Sequence, residues 1–252
     1  MLRNLNLRVQ CPALVLCGVL LCAAAVRGDE PSVSAQPPLS AEVLAERAQK
    51  SLVVVRATDR TGSDSGLGTG FVIEGGLIAT AHHVIGDGRE IRVELPDGKL
   101  VPVVEVYASS SRLDLAILKV ADLQLPALTL SADDRTPQGR EVVALGHPEG
   151  FRNSIVSGVI SGHQDIDGVE MLQLAMSIER GNSGGPVLDR QGSVVGIVTR
   201  KSALQDKLGF AVPVRLLREL KSDPNPVLMS RWSTIGALDP QQWLSLIHIS
   251  EP

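Results

Sequence analysis

Cysteine is nearly absent and poorly placed to serve a fold. The chain has three, Cys11, Cys17 and Cys22, all inside an apolar N-terminal stretch. The residues beyond have none, which excludes disulfide staples, a thiol nucleophile and a cysteine–zinc site there. Aromatic residues are also scarce: three Phe, two Trp and one Tyr in 252 residues. So few give no sign of an aromatic-built subunit interface. An excess of basic charge is missing too, with a formal net charge of −4, so nothing resembles a nucleic-acid footprint. Only one long apolar run occurs, Ala13 to Val26, and it is short for crossing a bilayer.

That run follows Arg3 and Arg8 and precedes Arg27-Gly28-Asp29. A basic start, a short apolar core and small residues before a polar segment describe a secretory signal over 1–28. It implies a secreted or periplasmic protein that meets the membrane only through this segment. Residues 29–40 (DEPSVSAQPPLS) read as a linker. At the other end, Leu244 to Pro252 (LSLIHISEP) match the translation of a transposase-end adapter used for sequencing libraries. They are set aside as an artificial scar, and 223–243 are read as the start of a linker or a truncated downstream region.

Between these ends the pattern is β. Ser40 can cap a short helix, Ala41 to Lys50, with Val43, Leu44 and Ala48 as its apolar stripe. From Ser51 onward come short β-branched runs such as LVVVRAT, EIRVEL, EVVALG and SVVGIVTR, punctuated by Gly, Pro, Asp and Ser. Pro96-Asp97-Gly98 and Asp189-Arg190-Gln191-Gly192 have turn chemistry. About a dozen strands with few helices argue for an all-β sandwich or barrels. An amphipathic helix closes the pattern at Val214 to Lys221.

The chemistry gathers at Gly181-Asn182-Ser183-Gly184-Gly185-Pro186. A serine hydroxyl attacks only when a base takes its proton and donors hold the oxyanion that follows. Flanking glycines let the chain turn sharply enough for the N–H groups of Gly181 and Ser183 to point at one oxygen. The same residues satisfy the G-x-S-x-G elbow of α/β-hydrolases, which needs its histidine after the serine. After Ser183 only His248 occurs, within the scar, so that reading fails. Upstream, His82 and His83 close an apolar strand, and residue chemistry alone leaves both open; His147 and His163 sit in less suitable loops. Asp114 opens the apolar run LDLAILKV, where an acid needs a hydrogen-bonding partner. An imidazole would serve, as would Arg112.

The order histidine, aspartate, serine is that of chymotrypsin-type enzymes. Over roughly Val43 to Leu220 the sequence resembles the HtrA/Deg branch of that superfamily. GTGFVI, GLIATAHHV, DLAILKV, VSGVISG, GNSGGPVLD, GSVVGIVT and LGFAVPV fall in that family's order. The resemblance implies a trypsin-like serine protease domain over 41–222. Its fold would be a chymotrypsin-like double β-barrel with short N-terminal and C-terminal helices. The first barrel would span about Leu52 to Val120 and the second about Glu141 to Val212, with polypeptide substrates and no metal or cofactor. In the family's T-x-x-H-V pattern the histidine is the fourth residue, which selects His83. His83, Asp114 and Ser183 would then be catalytic, with Gly181 and Ser183 as the oxyanion hole.

The resemblance also places a substrate pocket at Ser177, Ile178, Gly196, Ile197 and Val198, uncharged and suited to small or medium apolar residues. Homotrimers are common in the family, and so is a peptide-binding PDZ module after the protease. One departure is clear: the family's usual Asn-Pro before Gly-Asn-Ser is Glu179-Arg180 here. It removes a rigid proline and admits a second reading, a latent binding or chaperone-like module on the same fold. Mass spectrometry of exported protein should show a first residue between Val26 and Asp29. An intact leader held in membranes would overturn the signal.

Overall fold

The computed structural model describes residues 37–59, 61–86, 88–147, 154–201 and 208–235. The leader at 1–28, most of the 29–40 linker and the 244–252 tail lie outside them.

Helix α1 (Ala41–Ala48) starts where the Ser40 hydroxyl accepts the Val43 N–H at 3.3 Å, closing an otherwise open donor. It buries Leu44 and Ala48 and runs on as a 3-10 turn, Gln49–Ser51. The first barrel then forms from β1 (Leu52–Thr58), β2 (Asp64–Ile73), β3 (Leu77–Thr80), β4 (Glu90–Glu94), β5 (Leu100–Ser110) and β6 (Leu115–Val120). Their order is β5-β4-β1-β2-β3-β6, closed by β5–β6 pairing. Two register shifts on β5, between Val103 and Glu105 and between Val106 and Ala108, supply the local bends that closure needs.

The second barrel closes as β10-β11-β12-β9-β8-β7. Its strands are β7 (Glu141–Gly146), β8 (Ser154–Ile166), β9 (Val169–Ala175), β10 (Pro186–Asp189), β11 (Val194–Lys201) and β12 (Gly209–Pro213). The fold is thus the chymotrypsin-like double barrel expected. Both hairpin turns form where their residues demanded: Gly98 and Gly192 take positive φ at the ends of their turns, and their N–H groups bond back to Leu95 and Asp189.

Side chains alternate along each strand, so each barrel fills with one set. Val53, Val55, Ile78, Val93 and Leu118 pack inside the first, and Val142, Ile160, Leu174, Val187 and Val198 inside the second. The opposite faces of both barrels share a third cluster with α1 and α3 (Val214–Ser222), including Leu52, Phe71, Ile117, Leu145 and Leu217. Burying each such side chain is worth about 1.5–3 kcal/mol, which is how a disulfide-free domain of this size holds together.

Two local readings change. His82 and His83 do not close the strand, which ends at Thr80: His82–Ile85 form a one-turn helix, α2, with Val84 and Ile85 drawn into the first barrel. Of residues 223–243, read as the start of a linker or a truncated downstream region, those described, to 235, pack on that barrel. Strand β13 (Val227–Leu228) adds to β5, and α4 (Met229–Ile235) follows. The Asn225 side-chain amide bonds both the N–H and the carbonyl of Ser109, at 2.8 and 3.0 Å, satisfying the edge of β5 as a strand would. Trp232 is 6% exposed within the first-barrel core and meets the His82 ring edge-on, centroids 6.1 Å apart. Trp232→Ala should therefore lower unfolding stability by about 3–5 kcal/mol, and Trp232→Phe by clearly less. Chemical denaturation followed by circular dichroism would measure both; a Trp232→Ala loss near zero would mean that the segment is not part of the core.

Candidate active site

Asp114 is the most constrained residue of the cleft. It stands just before β6 at φ 53°, a left-handed backbone that aspartate tolerates better than most residues. Only 7% of it is exposed. One carboxylate oxygen, Oδ1, accepts the backbone N–H of His83 at 2.9 Å, and Oδ2 faces His83 Nδ1 at 2.8 Å. Oδ2 also accepts the hydroxyl of Thr199, while the Asp114 carbonyl accepts the His82 N–H at 3.1 Å. Burial pushes the Asp114 carboxyl up, but the His83 ring, the Thr199 hydroxyl and the His83 N–H outweigh it and hold it below its ordinary value. With Nδ1–H donating to the carboxylate, Nε2 is left as the basic nitrogen of His83. That imidazole is half exposed in the cleft. Arg112, the rival partner for Asp114, reaches away and donates to the Gly168 carbonyl at 3.0 Å.

Ser183 lies on the loop between β9 and β10, and both barrels anchor that loop. From the first, buried Thr69 donates its hydroxyl to the Gly181 carbonyl at 2.6 Å and its N–H to the Ser183 carbonyl at 2.8 Å. From the second, the Val198 carbonyl accepts the Gly184 N–H at 2.7 Å, and the Val198 N–H bonds the Gly185 carbonyl at 2.9 Å. At Gly184, φ is 83°, and a side chain would run into the Thr69 carbonyl and the Thr80 hydroxyl. The chain approaches too closely there for any residue but glycine.

The turn before the serine forms without a proline. The Asn182 N–H bonds the Glu179 carbonyl at 3.1 Å, and Gly181 takes φ 95°, the positive value a type II turn requires at its third position. Among the described residues, the N–H groups of Gly181 and Ser183 have no acceptor. The Ser183 hydroxyl donates to the Thr199 carbonyl at 3.2 Å rather than to His83. Thr199 therefore touches both ends of the constellation, its side chain on Asp114 and its carbonyl beneath Ser183. Neither Thr199 nor Thr69 stands out in the sequence. The available signal for Thr69 was a hydroxyl residue between two glycines in GTGFVI.

The expected pocket is half corrected. Ile178 does line the cleft beside Ser183, with Glu179, Arg180 and Thr199. Its side chain packs into the second barrel over Gly209, where a Cβ would collide with it. Ser177, partly buried, immediately precedes it. Gly196, Ile197 and Val198 are not walls of the cleft. Ile197 and Val198 are fully buried in the cores, and β11 pairs there with β10 on one edge and β12 on the other. A strand paired on both edges has no backbone left for a substrate. The part of β11 that reaches the cleft begins at the next residue, Thr199.

Comparison with known proteins agrees with this architecture. Residues 68–197 match the family model described as a trypsin-like peptidase domain. The chain is 38% identical over 162 residues to the mitochondrial serine protease HTRA2 of Bos taurus, covering 60% of this chain and 35% of that protein. It is 33% identical over 173 residues to a probable periplasmic serine endoprotease, DegP-like, of Chlamydia trachomatis, covering 64% and 35%. It thus spans about a third of the length of these curated relatives. Among solved structures, the active form of the Rv3671c protease from M. tuberculosis superposes with TM-score 0.66 at 26% identity, covering 74% of this chain and 87% of that one. A serine endoprotease from Yersinia pestis superposes with TM-score 0.64 at 29% identity, covering 80% and 69%.

The depressed Asp114 carboxyl has a signed consequence. A carboxyl whose folded pKa lies below its unfolded value stabilises the fold above that unfolded value, and the contribution disappears as pH falls through the folded one. Asp114 should therefore stabilise the protein fully at neutral pH and cease to do so as pH drops below its ordinary value of 3.8. Urea unfolding at pH 6 and at successive steps below pH 4 should show a steeper acid loss for the wild type than for Asp114→Asn. Parallel curves would refute the assignment.

Proposed function

From the premise that the chain belongs to the trypsin-like peptidase family, as an HtrA-type serine protease domain, we propose that it is an exported endopeptidase acting on unfolded or damaged polypeptides. The observation that carries this reading is the double grip of Asp114 on His83, by ring and by backbone, opposite Ser183 and two unused N–H donors. In this reading Ser183 Oγ rotates from the Thr199 carbonyl to His83 Nε2 when substrate enters; such bonds commonly tighten only in the complex. Oγ attacks the scissile carbonyl and its proton passes to Nε2. The carbonyl oxygen becomes an oxyanion held by the Gly181 and Ser183 N–H groups. Nε2 then protonates the departing amine, leaving an acyl-enzyme on Ser183. Water, deprotonated by the same nitrogen, releases the acid and restores the serine. Asp114 keeps the imidazole in the correct tautomer and stabilises its cationic form. Export rests on the leader, and a homotrimer is the assembly the resemblance favours.

On the acyl side, uncharged Ser177 and apolar Ile178 support a preference for small or medium apolar residues before the cut. One observation favours a second reading, a latent binding module: the Ser183 hydroxyl rests on Thr199 instead of His83. Turnover separates the two. Casein should be cleaved and Ser183 labelled by a fluorophosphonate, and Ser183→Ala should abolish both while the protein still folds. Asp114→Asn should cost about 10⁴ in kcat, the magnitude typical of such triads. His83→Ala should be nearly inactive, whereas His82→Ala should keep most activity, since its contribution to Asp114 is a backbone N–H that alanine retains. Binding of casein without cleavage or labelling would establish the latent module instead.

A further inference from the structure

The pair Glu179-Arg180, where the family usually has Asn-Pro, places a charge beside the reacting serine. Arg180 is exposed and lines two depressions, one on each side of Ser183 and His83. The first contains Ile178 and Thr199 and takes the acyl side of the substrate. The second contains Gly181 and Val84 and is floored by the start of β2, Asp64–Leu67. It lies away from Ile178, so the leaving-group side of the peptide passes through it.

Strand β2 pairs with β1 from Asp64 to Phe71 but with β3 only from Gly70 onward. Its outer half therefore keeps an edge without a strand on it, along which an extended peptide can run. At least six other arginines of the described residues are held by carboxylates: Arg56, Arg92, Arg140, Arg190, Arg215 and Arg218. Arg180 has neither an ion pair nor a side-chain hydrogen bond among them. A carboxylate lines each depression with it, Glu179 the acyl-side one and Asp64 the other, and neither is paired with it among the described residues.

We propose that Arg180 is the specificity-determining residue on the leaving-group side, taking the carboxylate of an Asp or Glu that immediately follows the cut. This rests on the protease reading above. A guanidinium offers a planar fork of donors that matches a carboxylate. Asp64 and Glu179, which line the same depressions, oppose a substrate acid elsewhere in them. The bound peptide displaces water around Arg180, so the attraction is stronger than at an open surface, yet still sensitive to salt.

The test uses quenched-fluorescent peptides identical except for Glu, Gln or Lys directly after the cut, with active sites counted by fluorophosphonate labelling. The wild type should favour Glu over Gln in kcat/KM by about three- to tenfold at low ionic strength, and the ratio should shrink at high salt. Arg180→Gln should bring the ratio close to one, and Arg180→Glu should turn the preference toward Lys. A wild-type ratio near one, or a Glu preference that survives unchanged in Arg180→Gln, overturns the proposal while labelling and cleavage leave the protease reading standing. Absence of both labelling and cleavage sinks that reading and the proposal with it.

Discussion

The cleft depends on one buried carboxylate. Asp114 sits at the start of a first-barrel strand, yet one of its acceptors is filled by Thr199 of the second barrel. The His83 ring and backbone fill the rest of its strong contacts. A buried carboxylate is tolerable only when such donors replace water, so the positions of α2, β6 and β11 are coupled through it. Its left-handed backbone is the local cost of turning the side chain inward.

A second junction works by neutral hydrogen bonds. Thr69, fully buried on β2, holds the Ser183 loop through the Gly181 and Ser183 carbonyls and accepts the His147 N–H on its own hydroxyl. The Asn182 carbonyl, whose peptide plane carries the Ser183 N–H, accepts the Gly185 N–H at 2.9 Å, and among the described residues the Gly181 and Ser183 N–H groups have no acceptor. The family's missing proline is thereby offset: a positive φ at Gly181 and the Glu179–Asn182 bond close the turn. What Glu179 and Arg180 change is the charge of the cleft more than its geometry.

The C-terminal segment joins the same system from outside. Trp232 reaches the first-barrel core and touches His82, whose N–H bonds the Asp114 carbonyl. Chain beyond the protease helices is therefore packed one residue from the His83 imidazole.

The linear pattern was sufficient for the strands and for the hairpin turns at Gly98 and Gly192, because period-two burial and turn chemistry are local properties, and a glycine-flanked serine is a local pattern that singles out Ser183 as a candidate. Asp114 was legible as an acid in need of a partner; residue chemistry left Arg112 open for that role, and the family resemblance selected His83. Thr69 and Thr199 were silent because their roles come from contacts 112 and 85 residues away in the chain, and no local pattern encodes such a distance. Gly196–Val198 were misassigned for the same reason. Their sequence reads as an ordinary strand, and only barrel closure decides that both edges are paired there and that the cleft starts at Thr199. Residues 223–243 read as a linker or a truncated downstream region because two strand residues and one tryptophan carry no period; their contacts with β5 and with the first-barrel core are long-range.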